Sequence, residues 1–267
     1  MKENTPAITT ENQELTKELE RLNLEFLDFF ARHKEMVDNE SVILTSLYLE
    51  KLGLLQLELL EKQTESARLK MKMDLIQAAI NRDDKPDLRA IETVINKRLQ
   101  NYYAEIQLQS AALNEAKEVL SHLISPEKYQ KLKEIFRVLC KRLHPDLNPN
   151  QTEEEKDLFI KVKAAYDLRK LSDLQSILLF LDDSKTENLA NIPGYEKKDR
   201  IEYLKKNILV LNDKIDQLKQ TFPFNIEKLI YDDGYIRHKQ EEIHDQIKTI
   251  EEKIAGFLNI ITIMTNE

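Results

Sequence analysis

The sequence contains very little cysteine, glycine or proline, and each shortage excludes a class of structure. The single cysteine, Cys140, excludes an intrachain disulfide and any zinc module built on several cysteines. Because Cys140 lies on an apolar helix face, we predict that it is a small core residue. Only 4 glycines and 7 prolines occur among 267 residues, and 33% of the residues are charged. This composition, with no long alternation of polar and apolar residues, predicts an all-α fold of long helices.

A long uncharged apolar run is also absent. The most apolar window, 42–60, contains Glu50, Lys51 and Glu58, and charges within a membrane span are costly. We predict a buried helix there. Packing on two neighbouring helices is favoured, and a surface for client binding or self-association is the alternative. The chain starts without the apolar segment of a secretory signal, so we expect a soluble, cytoplasmic protein with no membrane partner.

Positive charge is in deficit, and motifs for chemistry are missing. The sequence has 40 Lys and Arg against 48 Asp and Glu, a net charge of −8, which does not favour nucleic acid as a partner. It has no glycine-rich phosphate loop and no nucleophile motif. We predict no cofactor, no metal and no catalytic residue. Four histidines lack partners at metal-ligand spacing, and they are His33, His122, His238 and His244.

Apolar residues recur with heptad spacing over much of the chain, which indicates helices that pair as coiled coils. Heptads permit pairing within one chain or between chains, so a homo-oligomer stays open. The predicted segments are a disordered tail over 1–12, an N-terminal helical hairpin or coiled coil over 13–112, a middle helical domain over 113–183, a linker over 184–199 and a C-terminal helical hairpin or coiled coil over 200–267.

Two long helices are predicted inside and just beyond the N-terminal segment. One runs from about Ser41 to Asn81, weakened locally by Gly53, and the next starts near Asp87 and reaches about residue 123. A charged breaker that ends in Pro86 separates them. Because the connection is short, the two helices should form an antiparallel hairpin.

The middle segment contains two shorter helices with clear boundaries. Ser125, followed by Pro126, predicts a helix start, and the helix must stop at His144 because proline follows it. Thr152 and Glu155 have the spacing of a capping box, which predicts the start of the next helix. The loop between them, "HPDLNPNQ", carries three residues that we interpret as too polar for a core, namely His144, Asp146 and Asn148.

The helix before this loop carries a local concentration of positive charge. Lys133, Arg137 and Lys141 are four residues apart and form one stripe that we expect to face solvent. Between Lys128 and Leu143 there are six basic residues and one acidic residue, a local net charge of +5 in an acidic protein. The stripe points toward the loop.

Together these features resemble the J domain of DnaJ-like co-chaperones. The resemblance covers roughly residues 113–181 and rests on "YQKLKEIFRVLCKRLHPDLNP", a basic helix leading into His-Pro-Asp, and on "EEEKDLFIKVKAAYDL", the helix that follows. Phe136 stands where the family usually has tyrosine, and Asn148 matches the asparagine that the family often has two residues after the aspartate. The resemblance identifies the middle segment as a J-like domain.

The resemblance implies that the protein stimulates ATP hydrolysis by a DnaK-type chaperone and is not itself an enzyme. By position, His144, Pro145 and Asp146 form the activating loop. The coiled-coil arms would bind or position a client protein that the sequence does not name. The residues expected to dock on the chaperone are Lys133, Arg137, Lys141, Arg142 and Asn148.

Several departures from the family pattern favour keeping a second hypothesis. The family's first helix is matched only by "EVLSHLISP", which has no glycine and is expected to be the tail of the helix from Asp87. Leu147 replaces a usually basic residue, and Val138 interrupts a run that is often basic. The alternative is a non-enzymatic coiled-coil adaptor whose J-like segment no longer activates a chaperone.

Overall fold

The computed structural model describes residues 10–123, 125–181 and 189–266. Within these ranges the chain is helical without a strand, which confirms the predicted all-α fold. None of the helices described is long and apolar enough to cross a bilayer. The α-helices are α1 (Thr10–Glu35), α2 (Ser41–Tyr48), α3 (Leu54–Ile80), α4 (Leu88–Ser121), α5 (Pro126–Leu143), α6 (Glu153–Asp167), α7 (Leu171–Phe180), α8 (Gly194–Lys219), α9 (Glu227–Ile230) and α10 (Asp233–Asn266).

The helices belong to two compact units that interleave along the chain. Unit 1 comprises Met1–Val42 and Leu123–Asn225, and unit 2 comprises Ile43–His122 and Ile226–Glu267. The two arms predicted at 13–112 and 200–267 are therefore each divided between the units. The division differs from the predicted one because heptad spacing specifies an apolar seam on a helix but not the partner of that seam.

In unit 1, α1 packs along α8, and α5, α6 and α7 pack on one another. Helix α1 also contacts α5, so the same core joins all of these helices. The members of this core include Leu22 and Phe26 of α1, Leu204 of α8 and Phe136 of α5. Unit 1 thus brings α1 and α8, which are distant in the sequence, into one core with Leu147 of the loop between α5 and α6.

In unit 2, α3 and α4 form the predicted antiparallel hairpin, and α10 packs on α3. The apolar 42–60 window lies largely inside this unit. Leu52 is buried with Ile236 and Ile243 of α10, and the turn around it also contacts α4, so this part of the window packs on two helices as predicted. Gly53 lies in a π-helical turn against Leu113 of α4, and a side chain at this glycine would collide with that leucine.

Two predicted irregular segments are partly helical. Helix α1 starts at Thr10, inside the predicted tail over 1–12, and residues 1–9 lie outside the described part. Helix α8 starts at Gly194, inside the predicted linker over 184–199, of which 184–188 are likewise not described. Hydrogen bonds link the beginnings of the two helices, because the Lys197 ammonium of α8 donates to Asn12 Oδ1 at 2.7 Å and to Thr16 Oγ1 at 2.8 Å in α1.

The helices that pack together around the predicted J-like segment are not the ones that the boundaries 113–183 imply. Its first part, up to Ser121, is the end of α4, as expected, but α4 belongs to unit 2. The helices that complete the core around α5, α6 and α7 are α1 and α8. Sequence spacing could not reveal this, because the whole first segment of unit 2, Ile43–His122, lies between α1 and α5 in the chain.

Candidate functional site

The His-Pro-Asp segment forms a tight turn directly after α5. The helix ends there because Pro145 disfavours a helical residue before it, and His144 takes extended backbone angles of φ −76° and ψ 129°. The carbonyl oxygen of His144 accepts hydrogen bonds from the backbone N–H groups of Leu147 at 3.0 Å and Asn148 at 2.9 Å. These two bonds fix the turn in one conformation.

Both helices beside the turn begin where the sequence predicted. The Ser125 hydroxyl caps α5 by accepting from the backbone N–H of Lys128 at 3.4 Å. Before α6, the Thr152 hydroxyl accepts from the Glu155 N–H at 3.3 Å, and the Glu155 carboxylate accepts from the Thr152 N–H at 2.9 Å. This reciprocal pair is the predicted capping box.

His144 is a core residue, so the interpretation that it is too polar for the core is wrong. Its relative exposure is 6%. Its ring meets three phenylalanine rings edge-on, with centroid distances of 4.9 Å to Phe26, 4.4 Å to Phe30 and 5.1 Å to Phe159. The imidazole carbons are apolar enough for this environment once the ring nitrogens are satisfied.

The buried imidazole is neutral near pH 7. The backbone N–H of Asp146 donates to Nδ1 of His144 at 3.2 Å, so this nitrogen is an acceptor. Burial lowers the pKa of His144 to about 4; the Asp146 carboxylate opposes this shift, and the Lys163 ammonium adds to it. His144 therefore stabilises the turn by packing and by accepting one hydrogen bond.

Asp146 is bound by two side chains of α8. The Tyr203 hydroxyl donates to Oδ1 at 3.0 Å, and the Asn207 amide donates to Oδ2 at 3.2 Å. Tyr203 and Asn207 are four residues apart, so they lie on the same face of the helix. Each oxygen of the Asp146 carboxylate thus has a partner from α8, and we call this pair of donors the α8 clasp.

Two members of the basic stripe are paired with acidic residues of α1. Lys133 donates to Glu35 Oε1 at 2.8 Å, and Arg137 forms an ion pair with Asp28. The Glu35 side chain is only 13% exposed, whereas the Arg137 and Asp28 side chains are half exposed. Lys141, the third member of the stripe, is exposed. The expected solvent-facing stripe is therefore covered at one end and open at the other.

The remaining residues of the predicted activating loop and docking set lie around the turn. Pro145 is exposed. The Asn148 amide donates to the carbonyl oxygens of Lys141 at 3.1 Å and His144 at 3.3 Å, so it links the helix end to the turn. Arg142 donates to the carbonyl oxygen of Leu181 at 3.4 Å, beyond α7. Asn148 and Arg142 thus have structural contacts of their own.

Two departures from the J-domain pattern acquire a structural account. Leu147 is buried in the unit 1 core, at 7% exposure, which favours an apolar residue over a basic one. Phe136 stacks on Tyr166 with a centroid distance of 4.0 Å, and burial raises the pKa of Tyr166 above its ordinary value. Val138 is exposed, and nothing in the structure explains its apolar side chain. Cys140 is buried as predicted, and burial raises its thiol pKa.

The residues that α1 and α8 bring to the turn could not be predicted from the sequence. Phe26 follows Leu19 and Leu22 with heptad spacing, but its contact with His144 joins residues more than a hundred positions apart. Asp28 and Glu35 on α1, and Tyr203 and Asn207 on α8, carry no local signal that would identify their partners. Only the tertiary packing of α1 on α5 and of α8 on α1 assembles the site.

The polar side chains around the turn include the Asp146 carboxylate, the Asn148 amide and the cations of α5. No cluster of three or more His, Cys, Asp or Glu side chains suited to a metal occurs in the described part of the chain. Comparisons with protein-family models, with curated proteins and with solved structures found no match. What the arrangement offers is a rigid proline turn, a carboxylate and an adjacent row of cations.

Proposed function

We propose that this chain is a J-domain co-chaperone that docks on a DnaK-type ATPase and stimulates its hydrolysis of ATP. One observation carries the proposal. An intact His-Pro-Asp turn lies directly between the basic helix α5 and helix α6, and these helices pack on one another. The chemistry belongs to the partner, so the chain needs recognition groups and no catalytic residue of its own.

The roles divide between the turn and the helix before it. Pro145 and Asp146 contact the chaperone and transmit activation, while His144 holds the turn in shape from inside the core. Lys133, Arg137 and Lys141 attract an acidic surface of the chaperone, with Arg142 and Asn148 beside them. Because these charges are at least partly exposed, docking is fast, weak and sensitive to salt.

The long helices of unit 2 bind or position the client. They support this role by presenting large apolar side chains to solvent on α4 and α10, such as Tyr102 at 53%, Leu108 at 66% and Ile263 at 53% exposure. Singly exposed apolar residues are normal, so these side chains mark where to look for a client and do not identify one. The proposal places the protein in the cytoplasm.

The direct test is single-turnover ATP hydrolysis by a DnaK-type chaperone with the unaltered protein, His144→Gln or Pro145→Ala. We expect stimulation by the unaltered protein and its loss in both variants. Because His144 is buried, His144→Gln also disturbs the core, whereas Pro145 is exposed and its substitution removes no buried side chain. Stimulation unchanged in Pro145→Ala, with helicity retained, would argue against the proposal.

One observation favours the adaptor as a second candidate. His144 is enclosed by aromatic rings and Asp146 is bonded to α8, so the His-Pro-Asp turn also serves as an internal connector of unit 1. An adaptor would use the turn only in this way. In that case neither the unaltered protein nor any surface variant of the turn would change the ATPase rate.

A further inference from the structure

The groups expected to dock on a chaperone are largely engaged within unit 1. Lys133 and Arg137 are paired with acids of α1, and both oxygens of Asp146 accept hydrogen bonds from the α8 clasp. Pro145 and Lys141 stay exposed. The chain therefore satisfies by itself most of the polar contacts that a chaperone would make.

The partners on α1 have the chemistry expected of a chaperone's docking surface. Asp28 and Glu35 are seven residues apart, two turns along one face of the helix, and they meet cations that are one turn apart on α5. The proposed docking brings an acidic patch of the chaperone to the same cations. A carboxylate can replace another at these positions, so α1 competes with the chaperone for Lys133 and Arg137.

The α8 clasp differs from α1 in how readily it can be released. Phe26 of α1 packs on His144 in the core, so removing α1 would expose apolar surface. Tyr203, in contrast, is 51% exposed, and its hydroxyl reaches Asp146 from the surface. A rotation of the Tyr203 and Asn207 side chains frees Asp146 while the buried residues of α8, such as Leu204, keep their places.

We propose that Tyr203 and Asn207 hold the His-Pro-Asp turn in an autoinhibited state, and that a DnaK-type chaperone must displace them from Asp146 to be activated. The acids Asp28 and Glu35 add to the inhibition by screening the basic stripe. This inference rests on the proposed co-chaperone function. It assigns α8 a regulatory role, since anything that binds its Tyr203 face would release the turn.

The test compares the unaltered protein with Tyr203→Phe/Asn207→Ala in the single-turnover assay. The double variant removes both donors to Asp146 but keeps the apolar face of α8. We expect its half-saturating concentration to fall about tenfold, because the fraction of molecules with a free Asp146 rises. Tyr195→Phe is the matched control, since Tyr195 lies on the same helix at 73% exposure, and it should behave as the unaltered protein does.

A second variant, Asp28→Asn/Glu35→Gln, removes the competing carboxylates without changing side-chain size. At low salt we expect this variant to have a lower half-saturating concentration than the unaltered protein. At high salt we expect little difference between the two. Hydrogen exchange at the backbone amides of residues 146–148 gives a readout that does not depend on the chaperone. Exchange should be faster in Tyr203→Phe/Asn207→Ala than in Tyr195→Phe.

The outcomes separate this inference from the function on which it rests. Stimulation that is sensitive to Pro145→Ala but equal or weaker in Tyr203→Phe/Asn207→Ala would overturn autoinhibition and leave the co-chaperone function standing. In that case the clasp would orient Asp146 for the chaperone. No stimulation by the unaltered protein or by any released variant would overturn both.

Discussion

Unit 1 and unit 2 are both all-helical, but they use their side chains differently. The unit 2 core is aliphatic, with Ile76, Ile95 and Leu99 buried along the α3–α4 hairpin, and its polar contacts lie at the edge of the helices. The unit 1 core includes the rings of Phe26, Phe136 and Tyr166 packed around a polar turn. The repeated aliphatic contacts of unit 2 suit long paired helices. The irregular aromatic packing of unit 1 instead fixes individual polar groups at defined positions.

The largest expected effect comes from truncating the aromatic side of this comparison. Phe26→Ala should lower the free energy of unfolding of unit 1 by about 3–5 kcal/mol, because it leaves a cavity in the core. It should also raise the pKa of His144 toward its ordinary value, since water gains access to the ring. Hydrogen exchange measures the stability of each unit, and NMR titration measures the pKa.

Ile95→Ala in unit 2 is the matched control for that truncation. Ile95 is fully buried, so its loss should cost about 2–5 kcal/mol in unit 2. The pKa of His144 should stay depressed in this variant. If both variants shifted the pKa equally, the aromatic surroundings of His144 would not be the cause of its low value.

The second expected effect is a loss of unit 1 stability in mild acid. The folded pKa of His144 is about 4 and the unfolded value is about 6.5, so between these values the unfolded chain binds a proton that the folded chain does not. The stability that His144 contributes to unit 1 is therefore present above about pH 6.5 and is lost as the pH falls toward 4. Lowering the pH from 7 to 5 should remove about 2 kcal/mol through this group.

Hydrogen exchange of unit 1 at pH 7 and at pH 5, corrected for the intrinsic rates, measures this loss. His144→Gln lacks the titrating group, so its stability should change less with pH than that of the unaltered protein. An identical pH dependence in the two proteins would show that His144 is not the group responsible.

The smallest expected effect concerns the polar edge of unit 2. Glu92 on α4 accepts hydrogen bonds from Lys72 at 2.8 Å and from Arg68 at 2.9 Å. Both bonds lower the pKa of the Glu92 carboxyl group, and the bond from Lys72 has the larger effect. All three side chains are partly exposed, so Glu92→Gln should cost about 1 kcal/mol or less, with the loss shrinking at high salt.

Glu115→Gln is the control for the Glu92 substitution, because Glu115 is an exposed glutamate on the same helix. Denaturant unfolding at low and at high salt distinguishes the two variants. A loss well above 1 kcal/mol in Glu92→Gln would mean that the polar edge of unit 2 matters as much as its aliphatic core.

Local signals in the sequence predicted local structure, and they could not predict partners. Ser125, Pro145 and the Thr152–Glu155 pair act within a few residues, so the boundaries of α5 and α6 were predictable. The heptad spacing of α1 and α8 was visible as well, but an apolar seam fits many partners, and the sequence does not show that α8 packs on α1.

The same limit applies to the candidate site. The His-Pro-Asp turn and the basic stripe were evident from residue types and spacing. The burial of His144 was not, because it depends on rings from α1 and α6 that meet only after folding. The α8 clasp on Asp146 was hidden for the same reason.

The central claim is tested most directly by single-turnover ATP hydrolysis with a DnaK-type chaperone. The proteins compared all carry Tyr203→Phe/Asn207→Ala, so that autoinhibition does not mask activity. They are the otherwise unaltered chain, Asp146→Asn and, as a matched control in unit 2, Asp245→Asn. We predict stimulation by the unaltered and Asp245→Asn proteins in the released background and its loss in Asp146→Asn. Equal rates with all of these proteins and with the chaperone alone would contradict the account.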